Sequence, residues 1–352
     1  MSELHKFLFN DLPVRGVLVR LTDAWTEILS RRAANNTTGA YPVPAQQLLG
    51  EMAAAAVLMQ SSIKFDGALV LQIFGDGPVK LAVVEVQSDL TLRATATVTG
   101  EVAPDATLST MVNVSNEGRC AITLDPKDRF PGQQPYQGVV PLFGDHKEKL
   151  ERVSDVLAHY MLQSEQLDTT LVLAADDKVA AGLLIQRLPT QGTKNGGQIP
   201  NSSVLEGTGA AARRAAMKLE SDPYFSENED QIGRNEDYNR ISILASSLKR
   251  EELLNLDVDT ILRRLFWEEN LTRFEPLVGG EGPRFACSCS RERVSRMINS
   301  LGRDEAESII AERGDIEVGC DFCGKQYVFD PIDAAQIFTT AAKNIPGSSS
   351  AH

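Results

Sequence analysis

The chain has 352 residues, with 35 Lys and Arg against 48 Asp and Glu, and its formal net charge is −13. A chain of this length is expected to form two or more domains, because single hydrophobic cores stop growing near ~250–300 residues. The acidic excess argues against nucleic acid or an anionic membrane surface as the partner, since both attract clusters of Lys and Arg.

Residues 1–189 are predicted to form an N-terminal α+β core domain of mixed sheet and helix. Thr22 or Asp23 can cap a first helix, and a second helix is predicted over 45–62, where successive alanines favour helix. The hydrophobic period then changes to two, which is typical of strands, over 68–74, 79–86, 93–100, 171–173 and 182–188. Helices and strands do not alternate strictly, so the pattern favours an α+β fold over a doubly wound parallel sheet.

Residues 190–238 differ in composition from the segments on either side. Gly, Ser, Asn and Gln dominate the first part, and acidic residues dominate 220–238. Such a segment buries too little apolar surface to offset the entropy of ordering it. We therefore predict a flexible linker or insertion here.

Residues 239–279 are predicted to contain two short amphipathic helices. Apolar residues recur at i, i+3, i+4 and i+7 in each of them. Neither helix is long enough to be stable without a surface to pack on, so we expect a metastable helical region. Its apolar faces contain Ile241, Leu244, Leu248, Ile261, Leu262, Leu265, Phe266 and Trp267. Faces of this kind most often serve as packing surfaces.

Four of the five cysteines lie in a predicted C-terminal domain, residues 280–334. Cys287 and Cys289 form a Cys-x-Cys pair, and Cys320 and Cys323 form a Cys-x-x-Cys pair. Four thiolates from two close pairs can surround one soft cation tetrahedrally, and Zn²⁺ is the expected ion at one per chain. Four protein ligands leave no open position for a hydrolytic water. The alternative is that the four thiols are unrelated core residues.

The fifth cysteine and the end of the chain carry simpler predictions. Cys120 is most simply a small buried hydrophobic residue. The tail comprises residues 335–352, and its part beyond Lys343 is rich in Gly and Ser and is expected to be disordered. The N-terminal residues show no signal-type apolar stretch, and the longest apolar run, 52–59, is too short to span a bilayer. We therefore expect a cytoplasmic protein with reduced thiols.

The cysteine pairs also suggest a redox switch. Either pair could close on itself when oxidised, which would release the metal. Structural zinc in small peptides contributes ~10–16 kcal/mol, whereas an entire domain is stable by only ~5–15 kcal/mol. A small C-terminal domain with few large apolar side chains would therefore unfold without its ion. Unfolding would expose the apolar faces of any neighbouring helices that pack on it.

The run Phe285-Ala286-Cys287-Ser288-Cys289-Ser290-Arg291-Glu292-Arg293, with Gly319-Cys320-Asp321-Phe322-Cys323-Gly324 downstream, resembles the redox-regulated 33-kDa heat-shock chaperone family. Shorter matches lie in the first domain: Phe7-Leu8-Phe9, Val14-Arg15-Gly16, Lys64-Phe65-Asp66-Gly67, Gly75-Asp76-Gly77-Pro78, Tyr136-Gln137-Gly138-Val139-Val140 and Ser164-Glu165-Gln166-Leu167. The segment 190–238 is longer than this resemblance leads us to expect.

The resemblance implies an ATP-independent holdase that is inactive while it is reduced and binds zinc. Peroxide or hypochlorite, usually with heat, would form the disulfides Cys287–Cys289 and Cys320–Cys323. The middle helices would then unfold, unfolded or misfolded client proteins would bind, and the active form would tend to be a homodimer. The eight apolar residues of the helical region thereby become candidate client-binding residues.

Two other functions compete with this interpretation. A thiol–disulfide oxidoreductase could use Cys320 and Cys323, but no thioredoxin-like βαβ pattern surrounds them. A zinc ribbon could bind nucleic acid, but the net charge opposes phosphate contacts. The turn sequence Gly75–Pro78 and the segment Gly192–Lys194 do not form a phosphate-binding loop, so we predict neither nucleotide use nor an enzyme.

Overall fold

The computed structural model describes residues 1–35, 38–128, 134–188 and 235–343. The chain divides into two compact units. The first comprises residues 1–26 and 42–284, and the second comprises residues 27–41 and 285–352.

The first unit combines two antiparallel sheets with helices. Its strands are β1 Glu3–Phe9, β2 Val14–Leu21, β3 Gly67–Phe74, β4 Val79–Gln87, β5 Thr91–Val98, β6 Arg119–Pro126, β7 Tyr136–Pro141, β8 Thr169–Ala175, β9 Ala180–Arg187, β10 Leu271–Arg273 and β11 Leu277–Val278, with the short β12 Arg284–Phe285 at the boundary between the units. The helices up to residue 266 are α1 Asp23–Ala33, α2 Val43–Ser62, α3 Leu108–Val112, α4 Val153–Glu165, α5 Glu236–Ser246, α6 Arg250–Asn255 and α7 Val258–Phe266.

The first sheet has the strand order β10-β1-β2-β9-β8, and β11 also pairs with β1. The second sheet contains β5-β4-β3-β6-β7 in that order, and the backbone N–H of Arg284 in β12 bonds to the carbonyl of Leu90 beside β5. Helix α2 contacts strands of both sheets, and its residues 53–58 are fully buried. Small residues allow this close approach, because a Cβ atom at Gly50 would lie 2.4 Å from the Cβ of Ala175.

Helices α5, α6 and α7 pack on the first sheet. The rings of Phe7 and Phe9 in β1 contact Phe266 at the end of α7, with ring centroids 6.1 Å and 5.1 Å apart. The same hydrophobic cluster contains Ile241 of α5 and Leu253 of α6. Alternate residues of a strand point to opposite faces, so the first sheet receives α2 and the three helices on different faces.

Residues 285–343 of the second unit contain a β-hairpin and three helices, and residues 27–33 of α1 also belong to this unit. The hairpin strands and the three helices are β13 Ile316–Gly319, β14 Gln326–Phe329, α8 Arg291–Leu301, α9 Arg303–Arg313 and α10 Pro331–Lys343. Its hydrophobic core contains Ile298, Ala306, Ile316, Tyr327, Phe329 and Ala334 as the buried residues. A core of this size contributes little stability by itself.

The α+β class predicted from the sequence is confirmed. The region predicted as helical, 239–279, contains α6 in addition to the two expected helices, and it ends in β10 and β11, which pair with β1. Helix α10 runs past residue 334, where the C-terminal domain was predicted to end. Predictions for 190–234 and 344–352 lie outside the described residues. The flexible linker was predicted to extend to 238, but this end was wrong, because α5 begins at Glu236 and buries Tyr238. In the described part of the chain, every helix is too short or too polar to cross a membrane.

Candidate metal centre

The two cysteine pairs lie on separate segments of the second unit. Cys287 and Cys289 precede α8, whose first turn is capped by Ser290, since its side chain accepts a hydrogen bond from the N–H of Arg293. Cys320 and Cys323 lie in the turn that joins β13 to β14. Pairing between these two strands places the turn at one end of the hairpin.

The fold brings the four sulfurs together. All four Sγ atoms lie within 4.8 Å of one another. The contact between Cys287 and Cys320 is 3.7 Å, and that between Cys289 and Cys323 is 3.4 Å. Four sulfurs at ~2.3 Å from one zinc ion are ~3.8 Å apart in a regular tetrahedron. The donor set and its spacing therefore fit a four-coordinate thiolate site.

The turn at the second pair has the tight geometry that a metal knuckle needs. The N–H of Gly324 donates to the carbonyl of Cys320 over 2.8 Å, and the N–H of Cys320 donates to the carbonyl of Lys325 over 2.9 Å. Gly324 has a φ of 71°, a left-handed conformation that glycine adopts without steric cost. Glycine at position 324 therefore lets the chain turn back directly after Cys323.

Tyr327 is a site residue that the sequence analysis missed. Its hydroxyl donates a hydrogen bond to Sγ of Cys289 over 3.2 Å, and only 5% of the residue is exposed. The ammonium group of Lys325 lies 5.1 Å from the centre of its ring. A polar aromatic residue just after a Cys-x-x-Cys turn, on the returning strand, is the signal that could have identified it.

The cysteine thiols differ in their tendency to ionise. Burial acts to raise the pKa of Cys289, but hydrogen bonds from Tyr327 and the other cysteines lower it to about 7. Burial raises the pKa of Cys320 and of Cys323, although backbone amide groups act in the opposite direction at both. Cys289 is therefore the most readily ionised of these three thiols.

Arg291 ties the first cysteine segment to the hairpin. Its guanidinium donates to the carbonyl of Val328 over 2.9 Å and to the carboxylate of Asp333 over 2.6 Å, and it lies 4.1 Å from the centre of the Phe329 ring. Arg293 also donates to the carbonyl of Ser288, between the two cysteines, over 3.0 Å. The contacts of Arg291 hold the start of α8 against β14 and α10, and the contact of Arg293 fixes the backbone between the two cysteines.

Comparison with known proteins identifies the family. The model of the family described as "Hsp33 protein" matches residues 2–330. This chain belongs to the Hsp33 protein family. The resemblance noted in the cysteine motif is thereby confirmed.

Relatives in the Hsp33 family match along nearly the whole chain. A 33 kDa chaperonin of Chromobacterium violaceum is 41% identical over 337 residues, which cover 96% of this chain and 94% of the relative. A 33 kDa chaperonin of Methylobacillus flagellatus is 38% identical over 353 residues, which cover 100% of this chain and 99% of the relative. A crystal structure of the 33 kDa chaperonin from Thermotoga maritima shares the fold, with a TM-score of 0.65, 19% identity and coverage of 97% and 99%.

The apolar residues proposed for the helical region are mostly packed in this state. Ile241, Leu248, Ile261, Leu262, Leu265 and Phe266 are buried against the first sheet, and Leu244 is half-buried beside them. Trp267 differs, because it follows the last turn of α7 and is 74% exposed. Ile243, also strongly exposed, was not singled out from the sequence. Cys120 is buried as predicted, and burial raises its pKa to about 12.

Proposed function

We propose that this protein is an ATP-independent chaperone of the holdase type, inactive when reduced and activated by oxidation. The observation that supports this most is the cysteine cluster. The four sulfurs of a Cys-x-Cys pair and a Cys-x-x-Cys pair lie within 4.8 Å of one another, in a unit with a small hydrophobic core. Membership of the Hsp33 family, and relatives named 33 kDa chaperonin, support a chaperone that binds unfolded or misfolded proteins. The family and the names of these relatives also favour a protein that is not an enzyme.

Cys287, Cys289, Cys320 and Cys323 are proposed to hold one Zn²⁺ per chain in the reduced state. Zinc would cross-link the two cysteine segments and keep the thiolates in place, and with four protein ligands it would have no position open for catalysis. The thiolate donor set favours zinc over oxygen-seeking ions such as Mg²⁺ or Ca²⁺. A reducing compartment would maintain this resting state, so we place the protein in the cytoplasm.

Oxidation is proposed to convert the four thiols into the disulfides Cys287–Cys289 and Cys320–Cys323. Two molecules of hydrogen peroxide accept four electrons from the cysteine sulfurs and four protons from solvent. Their O–O bonds break, two S–S bonds form, and four molecules of water are released. Sulfurs joined in disulfides are no longer thiolate ligands, so the second unit loses its metal. Its core contains few large buried side chains, so we expect it to unfold.

The helices α5, α6 and α7 are the proposed client-binding elements. Their apolar residues and the sheet residues Phe7 and Phe9 cover one another in the docked state. Undocking would expose both surfaces, and exposed apolar surface binds the exposed apolar surface of unfolded proteins. The same exposure would favour association of two oxidised chains, so we propose a homodimer as the active form.

An oxidation series on one sample tests this proposal. Zinc content, free thiols and suppression of aggregation of a denaturing client are measured together, without ATP, at rising peroxide concentration. We expect loss of one zinc and four thiols per chain to coincide with the appearance of protection. Equal protection by the reduced and oxidised forms would contradict the redox switch, and protection by neither form would contradict chaperone function.

A further inference from the structure

Helix α6 is too short to be stable by itself, yet it lies between α5 and α7 in the chain and shares their hydrophobic cluster on the first sheet. A six-residue helix forms only marginally without tertiary contacts. It buries Leu253 and Leu254 against the first sheet, and most of its other side chains face away from the core. Its last carbonyl groups have no partners within the helix and need donors from elsewhere.

Arg20 of β2 supplies those donors. Its Nη1 atom donates to the carbonyls of Leu253 and Leu256 over 2.7 Å and 2.9 Å, and Nη2 donates to that of Leu254 over 3.0 Å. The side chain is only 13% exposed. A guanidinium carries several donors in one rigid plane, and its charge is favourable at the C-terminal end of a helix. One residue of the sheet therefore satisfies three carbonyls at the end of α6.

The other end of α6 is also attached to the first unit. Arg250, the first residue of α6, donates to the carbonyl of Ala175 at the end of β8, and its Nη1 atom lies 3.8 Å from the carboxylate of Glu51 in α2. The ion pair between Glu252 and Arg264, at 2.7 Å, joins α6 to α7. The position of α6 is thus set by polar contacts at both ends, and α7 is linked to it.

We propose that Arg20 is the positioning residue that keeps α5, α6 and α7 docked in the reduced protein and so sets how readily the chaperone is activated. This inference rests on the proposed function. Apolar burial is non-directional, so the faces of α5 and α7 can pack on the sheet or on a client with similar gain. The hydrogen bonds of Arg20 are directional and exist only in the docked arrangement. They therefore favour the docked state without weakening binding to a client.

The test uses the full-length, zinc-loaded, reduced protein and the substitutions Arg20→Gln and Arg20→Lys. Arg20→Gln removes both the positive charge and the planar guanidinium group with its several donors. Arg20→Lys keeps only the positive charge. Arg119→Gln, at an exposed position of β6, is the matched control. Amide hydrogen exchange in α5–α7, zinc content and client protection without oxidant are measured for each variant.

We expect exchange in α6 to accelerate about tenfold or more in Arg20→Gln, with zinc retained and with client protection before oxidation. Arg20→Lys should be intermediate, and Arg119→Gln should behave as the unmodified protein. Arg20→Lys, which loses the guanidinium group and keeps the charge, provides the test if Arg20→Gln does not fold.

Each contrary outcome has a distinct meaning. Unchanged exchange in α6 would overturn the role of Arg20. Exchange that accelerates equally in α6 and in β3–β6 would also overturn it, since Arg20 would then support the whole unit. Faster exchange in α6 without protection, while the oxidised unmodified protein does protect, would show that the contact does not control activity. If no form protects a client, the proposed function fails, and the exchange data still test the contact.

Discussion

The hydroxyl of Tyr327 donates a hydrogen bond to Sγ of Cys289 over 3.2 Å, and this bond joins the two segments that carry the cysteine pairs. Tyr327 lies on β14, directly after the turn that holds Cys320 and Cys323, whereas Cys289 lies ahead of α8. A donor to a ligating sulfur orients that sulfur and stabilises its thiolate form. Tyr327 is therefore placed to orient the sulfur of Cys289 in the candidate metal centre.

Tyr327→Phe should weaken zinc binding with little effect on the fold. The substitution removes only the hydroxyl group, and loss of such a hydrogen bond typically lowers metal affinity ~10–100-fold. Competition with a chromogenic chelator measures the change. Tyr136→Phe is the control, because that hydroxyl bonds to Glu165 in the first unit. Equal affinities for Tyr327→Phe and the unmodified protein would show that the bond does not support the metal.

Replacing Cys320 and Cys323 by Ser should abolish stoichiometric zinc and unfold the second unit. The apparent binding energy lost, ~10–16 kcal/mol, exceeds what its small core can supply. Zinc is measured by atomic absorption, and order is measured by amide exchange over 285–339. Cys120→Ala, which changes a buried cysteine of the first unit, should retain zinc. A double variant that still binds one zinc per chain would show that the ligands are misassigned.

Phe266→Ala should release the docked helices in the reduced protein. The Phe266 ring packs on Phe7 and Phe9, and loss of a buried phenylalanine side chain costs ~3–5 kcal/mol. Limited proteolysis within α5–α7 should accelerate strongly. The adjacent substitution Trp267→Ala is a matched control, since that side chain is largely exposed and should change the rate little. Similar rates for the two variants would contradict the packing that we describe.

Much of the candidate metal centre could be predicted from the sequence, because its four cysteines are paired by short covalent spacings. Helix α7 was also predictable, since its apolar residues recur over two full turns. Helix α6 escaped prediction because six residues are too few to establish a period. The contact between Arg20 and Leu254 joins residues 234 positions apart, and no local pattern encodes it. Tyr327 was missed for a similar reason, since its partner sulfur lies 38 positions earlier.

The raised pKa of Glu51 predicts that the stability of the fold depends on pH. Burial raises its pKa to about 7, although Arg250 and Arg152 act to lower it. In the unfolded chain the Glu51 carboxyl has its ordinary pKa of 4.5. Between pH 4.5 and pH 7 the folded state therefore binds more protons than the unfolded state. The free energy of unfolding should therefore fall by on the order of 3 kcal/mol as the pH rises from 4.5 to 7. Above pH 7 it should stay level.

Urea denaturation of the unmodified protein and of Glu51→Gln at several pH values isolates this effect. Titratable groups other than Glu51 contribute equally to the stability of both proteins. The difference between their free energies of unfolding therefore shows only the pH dependence that Glu51 causes. Glu51→Gln should gain stability relative to the unmodified protein as the pH rises to 7. A difference that does not change with pH would mean that Glu51 titrates alike in the folded and unfolded states.

Amide hydrogen exchange over residues 285–339 tests the central claim most directly, with the zinc-loaded reduced protein and the fully oxidised protein compared under the same conditions. We predict that α8, α9 and the β13–β14 hairpin are protected in the reduced form. In the oxidised form they should lose that protection as the ion leaves, while β3–β6 stay protected. Equal protection of the second unit in an oxidised, zinc-free protein with both disulfides formed would contradict the account.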